Sequence, residues 1–323
     1  MKKFSLCMAA ALSFWGAQAA EVKWNLPTGY AANSFQTENL VRFAVDVGKT
    51  SQGTLQIEVH PNNTLIKLAE IPLAVEQGRV EAGETIMTSF ATQVPIAGAD
   101  AVPFVVRTYA DAKRMWELQR PLIDEHFRKI GLRALYAVAW PPQGLFSIAP
   151  VRSKDDFKGT RMRTYNPTTV RIAELLGAKP VDVPMVEVGQ ALAANRVDSM
   201  ITSALTGAEN QVWGKIKYYY DINAWFPKNI VFVNEKAFES LTPATQKAVL
   251  SAAAEAEKRG WEMSQVAADA SVAELQRNGI KVDRAPADFN AELKRLGERF
   301  SVEWVNAVGY DANRIFVPYY FHH

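Results

Sequence analysis

Thr242-Pro243 is a helix-start pair, and from there to Arg277 no further proline occurs and Gly260 is the only glycine, amid "AVLSAAAEAEKR" and "AADASVAELQR". A helix over 243–277 would be roughly 50 Å long, more than a single small domain needs. It either braces two domains or breaks at Gly260, and spacing alone leaves both open. No internal repeat or low-complexity linker separates two domains, so they are expected to exchange chain segments rather than follow one another.

Upstream, strand and helix patterns alternate. "VKWNLP" reads as a strand, "SFQTENLVRFAVDVGKTSQG" carries apolar residues at helical spacing, and "TLQIEVHP" places Leu55, Ile57 and Val59 on one face of a strand. A helix over 68–77, a strand over 80–89, a helix over 110–129 and strands at 132–140 and "GLFSIAP" continue the rhythm, which returns at "NIVFVN". Such alternation predicts α/β architecture with largely parallel sheets and binding crevices at strand ends.

The first residues, "MKKFSLCMAAALSFWGAQAA", have a basic start, an apolar run too short to span a membrane and an A-x-A pattern at Ala17 and Ala19. They read as a cleaved secretory signal over 1–19. Cys7, the only cysteine, lies inside it, so the exported chain offers no disulfide, thiol nucleophile or cysteine metal site. Of 36 Lys and Arg residues, 34 remain without Lys2 and Lys3, against 34 Asp and Glu. That balance gives no electrostatic footprint for nucleic acid.

Signatures of catalysis are absent. Gly48-Lys49-Thr50 has Phe43 where a phosphate loop needs glycine, and no G-x-S-x-G, H-E-x-x-H or S-x-x-K occurs. His60, His126 and the pair His322-His323 form no metal-ligand pattern, and no cofactor is indicated. Asn62-x-Thr64, formally a glycosylation acceptor, reads as a turn.

"FKGTRMRTYNPTT" is more informative. Arg161 and Arg163 share one face of an extended segment, and Asn166-Pro167 is a cap and first-turn pair for a helix that stops at Gly177. Arginine binds a carboxylate through two parallel charge-assisted hydrogen bonds, and the N–H groups at a helix N-terminus attract the same ligand. Arg163, Tyr165 and Asn166 therefore form a candidate anion site. The plain alternative makes both arginines surface residues paired with Asp155, Asp156 or Glu187.

The run "FKGTRMRTYNPTTVRIAELLGAKPVDVPMVEVGQALAANRVDSM" resembles the central motif of DctP-type solute-binding proteins of tripartite ATP-independent periplasmic (TRAP) transporters. The matching pieces are Lys158-Gly159 to Arg163, Gly177-Ala178-Lys179-Pro180, Glu187-Val188 with Ala191-Leu192, and the turn 195–198, where Asn195 replaces the usual glycine. The likeness extends over essentially the whole mature chain. It implies two α/β lobes closing on a hinge cleft, the long helix bracing both. The implied lobes are 20–146 with 230–270, and 147–229 with 271–323. It also implies that Arg163 grips a ligand carboxylate and that the periplasmic protein delivers its ligand to the small and large membrane subunits of an ion-gradient-driven permease; Arg161 is no part of the match and stays a surface residue.

For the rest of the cleft, segments at strand ends nominate Trp140 and Gln143, Thr202, Ser203 and Thr206, and Trp225 and Phe226, with Ser89 and Phe90 after the 80–89 strand. Each aromatic taken alone reads as a core residue before a contact. Together they suggest a partly apolar pocket and an aromatic or apolar monocarboxylate such as benzoylformate or mandelate. The rival ligands are a C4-dicarboxylate, for which Lys228 would be the second cation unless it faces solvent, and a sugar acid. A secreted enzyme and the ligand-capturing partner of a membrane sensor are the rival functions.

Overall fold

The computed structural model describes residues 22–321. The leader expected at 1–19, Cys7 and His322-His323 lie outside them. The chain begins in one lobe with β1 (Val22–Pro27), α1 (Phe35–Thr50), β2 (Leu55–His60), α2 (Ile71–Glu76), β3 (Ala82–Ile86), α3 (Tyr109–Lys129) and β4 (Leu132–Ala139). It enters a second with β5 (Gln143–Ser147), β6 (Arg161–Thr164), α4 (Pro167–Leu176), β7 (Lys179–Asp182), α5 (Val188–Ala193), β8 (Ser199–Ser203), α6 (Ala204–Glu209) and β9 (Tyr218–Asp221). It returns through β10 (Lys228–Asn234), α7 (Glu235–Glu239) and α8 (Pro243–Arg277), then ends in β11 (Lys281–Arg284), α9 (Ala287–Val308) and α10 (Tyr310–Tyr320).

In the first lobe β1 and β2 pair in parallel beside the three-stranded order β3-β10-β4. The second lobe holds six strands in the order β11-β9-β5-β8-β6-β7. Taken together the sheets are mixed rather than largely parallel: β1-β2 is parallel, both ladders of β3-β10-β4 are antiparallel, and the six-stranded sheet has both kinds. β10 runs antiparallel to both neighbours and β5 to both of its own, because these strands carry the chain into and out of the second lobe side by side.

That double crossing forms the base of the cleft. Trp140 N–H donates to Pro227 O at 2.7 Å, Gln143 N–H to Trp225 O at 3.0 Å and Ala224 N–H to Gln143 O at 2.9 Å, so the two crossing segments stay paired. Pro141, Pro142 and Pro227 have no N–H to give and interrupt the ladder between the sheets. The change of lobe therefore falls at 140–142 and not after 146, since Gln143–Ser147 pairs with β8 and β9. The chain after 271 is also divided. Phe289 and Leu293 of α9 join the second lobe's core, whereas Ile315, Phe316 and Tyr319 of α10 pack into the first.

α8 is one uninterrupted helix, and the break at Gly260 does not occur. Its Thr242 hydroxyl accepts from Thr245 N–H, which satisfies one of the free donors of the first turn. Val249, Ala252, Ala253 and Ala256 pack in the first lobe with Phe43 and Tyr136, while Leu275 packs in the second with Phe146 and Tyr219. Gly260 serves close approach: a β-carbon there would lie 2.4 Å from Val138 Cγ2 and 2.7 Å from Asn39 Nδ2. Asn39 Nδ2 also donates to Ala256 O at 2.9 Å, and the Trp261 indole N–H donates to Ala137 O at 2.9 Å.

Gly260→Ala should therefore destabilise the protein by about 1–3 kcal/mol through overpacking, against the direction that helix propensity alone gives. Urea unfolding of the two proteins measures it.

Candidate functional site

A cavity of about 550 Å³ opens between the lobes above the crossing segments. The first lobe contributes Tyr30, Asn63, Lys67, Leu68, Ala69, Ile86 and Ser89; the crossing contributes Trp140, Gln143 and Pro227. From the second come Arg163, Tyr165, Asp182, the 184–187 segment, Thr202 and Thr206.

Arg163 sits in the penultimate position of β6 and is only 2% exposed. Its Nε–H donates to Val183 O at 2.9 Å, and its guanidinium lies 4.7 Å from the centre of the Tyr165 ring. Burial lowers its pKa to about 10, opposed by Tyr165 and Asp182, so it stays cationic at neutral pH. Among the described residues no carboxylate pairs with it, and its two Nη atoms have no protein hydrogen-bond partner. A cation buried this deeply is costly unless something compensates it, and the open side of this one faces the cavity.

Arg161, two residues earlier, shows the contrast. Asp198 takes it bidentately, with Oδ2 at 2.9 Å from Nε and Oδ1 at 2.6 Å from Nη2, and the Asn195 carbonyl accepts from Nη1. Asn195 is left-handed at φ 52°, as its place in the turn requires. Neither Asp155 nor Asp156 pairs with either arginine: Asp155 pairs with Lys158, and Asp156 accepts from the N–H groups of Arg152 and Ser153.

Tyr165 donates to Gln143 Oε1 at 3.2 Å, and Gln143 Nε2 donates to Pro141 O at 2.9 Å, which ties the arginine's neighbour to the crossing. Burial pushes the Tyr165 phenol up to about 12. Asn166 is the helix cap, not a cavity residue: its Oδ1 accepts from Thr169 N–H at 2.9 Å, and Gly177 ends α4 in the left-handed region. Thr202, Thr206 and Ser89 reach the cavity, but Ser203 does not, because its hydroxyl caps α6 through Thr206 N–H.

The expected aromatic contacts need the most correction. Phe90 lies in the first lobe's core, with ring centres 4.7 Å from Phe127 and 5.0 Å from Phe232. Trp225 is buried in the second lobe's core and Phe226 in the first, so these neighbours anchor the crossing strand in both lobes. Trp140 alone of the aromatics expected beyond Tyr165 lines the cavity. The apolar wall comes instead from Tyr30 on a loop, Ile86 at a strand end, and Leu68, Met185 and Val186 in two short 3-10 turns, segments too short for periodicity to report their direction. Gly29 admits part of it, since a β-carbon there would lie 2.6 Å from Leu68 Cβ.

Lys228 is fully buried 3.2 Å from Asp100, itself fully buried, and Asp100 also accepts from the Lys228 N–H at 2.8 Å. It neither faces solvent nor lines the cavity. Among the described residues no cluster of His, Cys, Asp and Glu is arranged to hold a metal ion, and no helix is long and apolar enough to cross a membrane.

Residues 28–301 match the DctP family, bacterial extracellular solute-binding protein family 7. The chain belongs to this family. Among solved structures, this DctP-family chain is similar to DctP6 of Bordetella pertussis, an extracytoplasmic solute receptor binding pyroglutamic acid. The two share 38% identity and a TM-score of 0.90 over 92% of this chain and 99% of the other. DctP7 of the same organism, also binding pyroglutamic acid, shares 34% identity, a TM-score of 0.90 and the same coverage. A TRAP solute-binding protein from an unidentified marine microbe, specific for pyroglutamate, shares 34% identity, a TM-score of 0.90, and 93% and 99% coverage. The two-lobed TRAP receptor fold is thus the fold of this protein.

Lys228→Ala should cost about 3–5 kcal/mol in urea unfolding, because it leaves Asp100 charged and alone in the interior. Replacing both partners, Asp100→Leu with Lys228→Met, should recover most of that loss.

Proposed function

We propose that this protein captures pyroglutamate, or a ring-closed monocarboxylate of its size, and delivers it to the membrane subunits of a TRAP permease. The observation that carries the reading is Arg163: buried, cationic, without a carboxylate partner among the described residues and open to the cavity. A ligand carboxylate meeting its Nη atoms would supply the missing counter-charge in a desolvated site. The three receptors at 34–38% identity support a compact lactam acid over benzoylformate or mandelate. The placement of Phe90, Trp225 and Phe226 in the cores leaves Trp140 as the one aromatic that supported those acids and lines the cavity.

Lys228 is not the second cation a C4-dicarboxylate would need, because Asp100 pairs with it; Lys67 on the first-lobe wall is the remaining one. The protein's work on this reading is capture, with no bond made or broken, and the energy for transport comes from an ion gradient across the membrane subunits. A leader over 1–19 would place it in the periplasm.

Thermal unfolding against pyroglutamate, succinate, glucuronate, benzoylformate and mandelate tests the ligand. At a thousand times its dissociation constant the true ligand adds about 4 kcal/mol, which raises Tm by several degrees. The largest shift is expected with pyroglutamate; a shift with glucuronate alone would replace the ligand and keep the site. Arg163→Ala should weaken binding by about 3–5 kcal/mol and Arg163→Lys should not restore it, whereas Arg161→Ala should leave affinity unchanged. Equal affinity of a folded Arg163→Ala protein would sink the assignment.

A further inference from the structure

Glu84 stands in the middle of β3, 3% exposed, where strand chemistry calls for an apolar residue. Its Oε2 accepts from the Thr28 hydroxyl at 2.7 Å and its Oε1 from Asn229 Nδ2 at 2.9 Å. That bond fixes the amide of Asn229 with Oδ1 pointing the other way. Two donors converge on that single oxygen: the Trp140 indole N–H at 2.7 Å and the Tyr30 hydroxyl at 3.2 Å. Both rings line the cavity, 5.3 Å apart between centres and edge-on. Neither Glu84 nor Asn229 is among the cavity-lining residues.

We propose that Asn229, held by Glu84, is a specificity-determining residue that turns the donors of Trp140 and Tyr30 away from the ligand. The wall then offers ring surface in place of hydrogen-bond donors. A compact lactam acid has one N–H and one C=O to satisfy beyond its carboxylate, whereas a polyhydroxylated acid must bury several hydroxyls against a wall without donors. The inference rests on the reading of the cavity as a carboxylic-acid site.

Glu84 also gives the network a signature that packing alone would not have. Burial pushes its carboxyl up to about 7, opposed by the hydrogen bonds from Thr28 and Asn229. The titratable groups facing it are the phenols of Tyr30 and Tyr136, both raised by burial and by the Glu84 charge. Behind them, Arg259 and Glu257 of α8 act on Tyr136, and Tyr165 and Glu209 act on Tyr30. No basic side chain pairs with Glu84 among the described residues. The 2.7 Å contact with Thr28 can be bridged by a proton from either oxygen, so Asn229 keeps its orientation whether Glu84 is charged or neutral. An anion entering the cavity disfavours the charged form. Binding therefore draws a proton near pH 7, and affinity weakens as pH rises through that range, while Arg163 remains charged throughout.

Calorimetric titration of the wild type, Glu84→Gln and Asn229→Leu with pyroglutamate and glucuronate between pH 6 and 8 tests this, with folding checked by Tm. Glu84→Gln, which keeps both hydrogen bonds without the charge, should bind pyroglutamate as the wild type does at pH 6 and lose the pH slope. Glu209→Gln should retain that slope. Asn229→Leu should shrink the preference for pyroglutamate over glucuronate by about tenfold or more, because two donors are freed. An unchanged preference in Asn229→Leu, or an unchanged slope in Glu84→Gln, overturns the proposal. If the wild type binds neither acid, the function reading fails by itself and the network is judged by nuclear magnetic resonance. The Trp140 indole N–H signal, assigned by its loss in Trp140→Phe, should titrate near pH 7 and shift in Asn229→Leu; a signal indifferent to both rejects it.

Discussion

A positive charge held out of water with no carboxylate paired to it among the described residues is the condition around which this structure is arranged. Arg163 keeps one nitrogen on the Val183 carbonyl and lies over the Tyr165 ring, which is partial compensation for the lost hydration. Everything adjacent maintains that state. Asp198 is engaged by Arg161 and Asp100 by Lys228, which leaves Asp182, acting on Arg163 through space and without a hydrogen bond, as the carboxylate beside it. Two would-be counter-ions are thus removed from competition, and the cavity face of the guanidinium is left for an incoming anion.

The frame that holds this arrangement is made of four chain crossings. Two are the paired segments at 140–142 and 222–227, where prolines interrupt the ladder, the third is α8, and the fourth is α9, which carries the chain back from the second lobe to the first. α8 can lie close because its contact face is small: Ala252, Ala253, Ala256 and Gly260 bring it against Asn39 and Val138 without side chains between. The sheets are mixed for the same reason. A strand that leaves a lobe beside the strand that enters it must run antiparallel to it.

Local rules carried much of this in the sequence. Thr242-Pro243 and Asn166-Pro167 marked helix starts, Gly177 marked a stop, and alternation in "TLQIEVHP" marked a strand, because caps and periodicity depend on neighbours a few residues away. Arg163 was legible through its motif. What was not legible depends on which way a chain turns after a strand ends. Trp225 and Phe226 share a strand-end segment with Pro227, yet only the proline reaches the cavity, and Ser203 serves a helix while its neighbours Thr202 and Thr206 line the site. Gly260 was ambiguous because a glycine that permits packing and one that ends a helix look alike in one dimension. Glu84 did leave a trace: an acid in the centre of a strand with no other charge.

Trp225 and Phe226 are consecutive, and one is embedded in each lobe's core. Each ring is held by the body that surrounds it, so a rotation of one lobe against the other is shared between the torsions of this link, its partner strand at 140–142 and the helices that enter both cores. The cleft then behaves as a pair of caliper jaws on a compound pin: the ligand's dimension is read as an angle.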